Sequence, residues 1–140
     1  MLSVYPACFF KEENGYSVIF PDLNWLSTCG ETLNETMTMA VDCLAGYLYL
    51  LQKGGESCPP PSAPDAIHPD ELCRQLELST CEAFVTMVSV DVADYAKKHF
   101  EKSVKKTLTI PAWLNKAALD QNLNFSQILQ EALLARLNLH

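Results

Sequence analysis

The sequence predicts an α+β protein in two parts: a β-β-β-α-β unit over residues 1–100, followed by a strand-helix-helix module over residues 101–140. Three observations carry this. Apolar residues alternate before residue 30 and again over residues 83–92, as half-buried strands require. One long stretch of helical period lies between them, opened by a threonine cap. Near the end, a short alternating run stops at Pro111 and passes directly into two helical patterns. The hydrophobic fraction of 49% and charged fraction of 19% fit a folded chain rather than a disordered one.

Residues 2–10 place Leu2, Val4, Cys8 and Phe10 on one face of a strand, and Pro6, lacking an amide donor, assigns that strand to an edge or a kink. Asn14-Gly15 supplies a hairpin turn before a second strand carrying Tyr16, Val18 and Phe20 on one side. A turn at Pro21-Asp22 leaves room for a third strand near Leu26 to Cys29, ended by Gly30.

Thr32 and Glu35 form a capping box, with the apolar stripe of the ensuing helix read as Leu33, Met37, Val41, Leu44, Leu48 and Leu51 and its stop as Gly54-Gly55. Residues 55–66 are a proline-rich connector, and Pro69-Asp70-Glu71 opens a short helix. The run over residues 83–92 returns a strand to the N-terminal sheet, and the polar DYAKKHFEKS segment tethers the last module to it.

In the last module, VKKTLTIP alternates, with Leu108 and Ile110 facing inward and Lys105, Thr107 and Thr109 outward. A first helix follows Pro111. A second, capped by Asn124 with Gln127 at the reciprocal position, carries Ile128, Leu129, Ala132, Leu133 and Leu137. One strand with two open edges and so small a core cannot stand alone, so the module is expected to dimerise. Two copies pairing their strands over four helices make a ribbon-helix-helix, whose two-stranded ribbon fits a DNA major groove. Lys105, Thr107 and Thr109 would read bases and Lys106 would touch a phosphate. Asn124 and Ser126, at the start of the second helix, would clamp another. The competing reading is a plain dimerisation tail whose threonines only express β-propensity.

Charge divides in the same place. Residues 1–100 hold 14 Asp and Glu against 5 Lys and Arg, a net −9, while residues 101–140 hold 3 against 5, a net +2. An acidic body repels phosphate and attracts a basic protein.

No apolar run approaches the ~18 residues of a membrane span and the N-terminus lacks a basic leader, so the expectation is a soluble cytoplasmic protein with no membrane partner. The cysteines, Cys8, Cys29, Cys43, Cys58, Cys73 and Cys81, show no C-x-x-C spacing and are expected to be reduced thiols. His68, His99 and His140 lie far from any ligand spacing, so neither a metal nor another cofactor is expected. Asp22, Glu35, Asp42 and Asp91 are the only carboxylates worth weighing for a nuclease-type metal site, and nothing in the sequence gathers them. There is no G-x-S-x-G elbow and no paired cysteine nucleophile, so the chain is not read as an enzyme.

Taken in order, YPACFFKEENGYSVIFPDL, TCGETLNETMTMAVDCLAGYL, VSVDVADY and VKKTLTIPAWLNKAALDQNLNFSQILQEAL resemble successive landmarks of the HicB antitoxins of bacterial toxin-antitoxin pairs, across nearly the whole chain. The resemblance implies a partial RNase H-like fold for the first unit, which would bind and block a HicA-like mRNA interferase toxin. It also implies a C-terminal domain of the ribbon-helix-helix branch that represses the pair's own operon as a homodimer or higher oligomer. After FPDL the family often continues Pro-Gly, where this chain has Asn24-Trp25, and Phe125 or Gln127 replaces an arginine frequent at the start of the last helix. Asp22 and Trp25 are the candidate toxin contacts, with a core role for Trp25 as the competing reading. The functional alternative is a ligand-sensing ribbon-helix-helix regulator without a toxin partner.

Overall fold

The computed structural model describes residues 1–78 and 82–139. Its elements are β1 (Ser3–Glu12), β2 (Gly15–Phe20), β3 (Leu26–Gly30), α1 (Leu33–Lys53), α2 (Pro69–Gln75), β4 (Ala83–Val90), α3 (Val92–His99), α4 (Ala112–Asp120) and α5 (Phe125–Arg136). The strands form one antiparallel sheet in the order β3-β2-β1-β4.

This order corrects the placement of the first strand. β1 is interior, flanked by β2 and β4, because both of its faces are apolar and both are covered. Tyr5, Ala7 and Phe9 face α1, whereas Cys8 and Phe10 face α2. Pro6 is tolerated because β2 pairs β1 only from Cys8 onward, so Pro6, opposite Met87, lies where β4 alone flanks the strand. The β1–β2 hairpin forms as expected. Gly15 sits at φ +151, and a side chain there would collide with the Gly30 carbonyl oxygen.

The α1 cap is as the sequence specifies, with the Glu35 amide donating to Thr32 Oγ1 at 3.1 Å. The Glu35 carboxylate reaches back one residue further, accepting from the Glu31 amide at 3.3 Å. Of the expected stripe, Leu44 and Leu48 are buried and Met37 and Val41 pack against the core, while Leu33 is exposed and Thr36, Ala40 and Ala45 complete the buried face. Small residues win this face because the helix lies close to the sheet: a Cβ on Gly30 would stand 2.6 Å from Thr36 Oγ1 and 2.8 Å from its backbone nitrogen.

The 91–100 segment is more than a tether. Asp91 caps α3, accepting from the Asp94 amide at 3.1 Å, and Val92 and Ala96 are buried. The Tyr95 hydroxyl donates to Asp42 of α1 at 2.8 Å, and Phe100 lies 5.3 Å from the Tyr49 ring. Cys73, buried under the sheet, is disulfide-bonded, which overturns the expectation of uniformly reduced thiols. Cys8, Cys29, Cys43 and Cys58 are free, while Cys81 and His140 lie outside the described residues. No helix among the described residues is long and apolar enough to cross a membrane.

Candidate functional site

The last forty residues hold the candidate nucleic-acid surface. Residues 103–111 join no sheet in the single chain, and Lys105, Lys106, Thr107 and Thr109 are all exposed. The strand expected there does not form in the single chain, where the alternating segment has no neighbour to supply a ladder. Exposed alongside it are Val104, Leu108, Ile110, Trp113, Leu119, Ile128, Leu133 and Leu137, and no element of this module packs extensively on the sheet. Large exposed apolar side chains are therefore concentrated in this module.

The two helices are nonetheless well bounded. Pro111, the expected first helical residue, is the cap of α4. Asn124 Oδ1 accepts from the Gln127 amide at 3.1 Å, capping α5. The Gln127 side chain turns to Glu131 instead of completing a capping box. Asn124 thus spends its oxygen within the helix, and Ser126 stays exposed in the first turn.

The two candidate toxin contacts differ in character. Asp22 lies in the short 3-10 turn Pro21–Leu23, and both its oxygens accept from Ser62, from the amide and the hydroxyl, each at 2.7 Å. The Tyr5 hydroxyl donates to the Pro59 carbonyl, so Tyr5 and Asp22 together fasten the proline-rich connector to the sheet. Burial, then the charges of Cys58 and Asp22, pushes the Tyr5 hydroxyl's pKa up, keeping it a donor. Trp25 is 46% exposed at φ +60, directly after Asn24 at φ +57. It projects from a strained turn at one edge of the sheet.

Elsewhere the carboxylates have separate duties. Glu35 and Asp91 cap helices, Asp42 holds Tyr95, and Asp22 holds Ser62. Among the described residues no three metal-ligating side chains come together. Glu12, Glu13, Glu31 and Glu35 line an open cleft beside the β1–β2 hairpin tip, giving that end of the sheet a negative surface. Sequence reasoning missed Ser62 and the Tyr95–Asp42 link. Neither partner pair has a spacing signal, since the residues lie 40 and 53 positions apart.

Residues 5–138 match the family described as HicB_like antitoxin of bacterial toxin-antitoxin system. The fold is similar to a chain of a toxin-antitoxin complex from Streptococcus pneumoniae, at TM-score 0.67 and 32% identity, covering 97% of this chain and 99% of that one. It also resembles a chain of a HicA3 and HicB3 toxin-antitoxin complex, at TM-score 0.51 and 23% identity over 64% of this chain and 99% of that one. The Burkholderia pseudomallei antitoxin HicB matches at TM-score 0.50 and 21% identity, covering 96% of each chain. No curated protein sequence matches. With a family match spanning all but the ends of the sequence, this chain belongs to the HicB-like antitoxins of bacterial toxin-antitoxin systems.

Proposed function

We propose that the chain neutralises a small, basic, HicA-like RNA-cleaving toxin through residues 1–100 and represses its own operon through a homodimer of residues 101–140. The observation that carries the toxin half is the end-to-end similarity, at 32% identity, to a chain found in a toxin-antitoxin complex. The acidic sheet unit supports it, since a net −9 and the glutamate-lined cleft favour a cationic protein. Trp25 is the proposed anchor, being an aromatic held in a rigid turn and half exposed. Asp22 contributes by fixing the connector beside that turn.

The DNA half rests on the exposed apolar surface of the last module. Pairing residues 104–110 of two copies and packing α4 and α5 beneath would cover Leu108, Ile110, Ile128 and Leu133. Lys105, Thr107 and Thr109 would then lie on the outer face of a ribbon. Lys106 and the α5 start at Asn124 and Ser126 would meet phosphates. The ligand-sensing alternative draws no support from the clefts at the hairpin tip and the α1–α3 junction, which lie open at the surface.

The test is co-purification of the full chain with the product of the neighbouring gene, followed by binding of each species to the DNA upstream. Recovery of a stoichiometric complex and retention of that DNA are expected. Failure to recover the neighbour would overturn the toxin half, and failure to retain the DNA would overturn the operator half.

A further inference from the structure

The positive charge of this chain is not spread through its last module. Residues 1–96 carry 14 Asp and Glu against 3 Lys and Arg, a net −11. Residues 97–106 carry five lysines, Lys97, Lys98, Lys102, Lys105 and Lys106, against Glu101 alone, a net +4, and residues 107–140 balance at zero. Half of the chain's ten Lys and Arg therefore fall within ten residues that straddle the junction of its two parts.

The structure holds the front of this band in place. The Phe100 and Glu101 amides both donate to the Ala96 carbonyl at 2.8 Å, closing α3. The Phe100 ring lies against Tyr49 and Tyr95, which joins α3 to α1. Lys97 and Lys98 thus ride on a fixed corner of the sheet unit, with Lys102 just past it. All five lysines are exposed. Lys98 pairs with Asp94 at 3.1 Å, whereas Lys97, Lys102, Lys105 and Lys106 have no ion-pair partner among the described residues. Lys102 and Lys105 are three residues apart, so their α-carbons stand no more than about 10 Å from one another. Duplex DNA presents a phosphate charge about every 1.7 Å along its axis.

We infer that Lys97 and Lys102 form a second, sequence-independent DNA contact, gripping the sugar-phosphate backbone that flanks the segment read by residues 105–109. This rests on the operator-binding reading above and extends it onto the sheet unit. Lys102 precedes the base-reading segment by three residues, and α3 carries Lys97 five residues before that. The band also offsets repulsion between phosphate and the −11 body directly behind it. The helix macrodipole accounts for cations in the last turn of α3, at Lys97 and Lys98, but not for Lys102 beyond it.

The experiment compares the full chain with its Lys97→Ala/Lys102→Ala variant, titrating salt against the protein's own upstream DNA and an unrelated duplex. Each phosphate contact contributes about 0.9 to the slope of log affinity against log salt, so removing four lysines per dimer should flatten that slope by roughly 3 to 4. The preference for the upstream DNA over the unrelated duplex should be retained. Lys97→Arg/Lys102→Arg should restore the slope, which separates a loss of charge from a loss of folding. An unchanged slope while the wild-type chain still binds its upstream DNA would overturn the inference and leave the operator reading standing. A fall in toxin affinity without a change in slope would assign the lysines to the protein partner and overturn it equally. If the wild-type chain binds neither duplex, both readings fall together.

Discussion

Trp25 occupies φ +60 immediately after Asn24 at φ +57, a left-handed pair. A left-handed backbone costs a side-chain-bearing residue about 1–2 kcal/mol, most for a bulky one. Replacing Trp25 by glycine removes that cost but adds glycine's entropy, about 0.5–1 kcal/mol, and loses a half-buried ring. Stability should therefore change by no more than about 1 kcal/mol in urea unfolding, against the ~3–5 kcal/mol lost when a core Trp is truncated. Toxin affinity should fall tenfold or more. A large stability loss with unchanged toxin affinity would return Trp25 to the core. Two other residues bear on stability at alkaline pH. Burial pushes the Cys8 thiol up to about 11, from 9.0. Burial, then the hydrogen bond and charge of Asp42, pushes Tyr95 up to about 12, from 10.0. Because both folded values are raised, the folded chain holds protons that the unfolded chain releases. Their stabilisation is fully present below pH 9 and is lost as pH rises from 9 to 12. Urea midpoints should decline across that window, and Tyr95→Phe should flatten the decline between pH 10 and 12.

Elements whose signal is local were legible in the sequence. The hairpin at Gly15 and the caps at Thr32 and Asn124 each depend on residues within a few positions, and β4 is marked by its own alternation although it pairs with the distant β1. Features that depend on neighbours across the fold were not. Pro6 argued for an edge because the sequence does not reveal that β2 stops pairing at Cys8. Leu33, read into the α1 stripe, is exposed, whereas Thr36, outside that stripe, is buried because Gly30 of β3 runs so close beneath. The bonds of Asp22 to Ser62 and of Asp42 to Tyr95 join residues far apart in the sequence and have no local signal. The 103–111 segment is a feature of the same kind, since its ladder would have to come from a second chain. Thr107→Ala/Thr109→Ala should weaken operator binding by about 1–3 kcal/mol for each hydrogen bond to a base that is removed. Dimerisation and the salt slope should stay the same. Undiminished preference for the operator would rule out the ribbon.

At the scale of the whole molecule, the two parts differ in what they leave exposed. The sheet unit encloses its own core on both faces of β1, whereas the last module leaves its large apolar residues uncovered. Ile128→Asp/Leu133→Asp should therefore place charge in the proposed dimer seam, yield monomers by sedimentation and abolish operator binding. The sheet unit should stay folded. A dimer that survives this change would place the seam elsewhere. Antitoxin action is tested most directly by RNA cleavage by the neighbouring gene's product, titrated with the purified full chain. Cleavage should fall to background at one chain per toxin, and Trp25→Gly should shift the titration to higher concentration. Cleavage that continues undiminished at excess antitoxin would contradict the toxin-neutralising role.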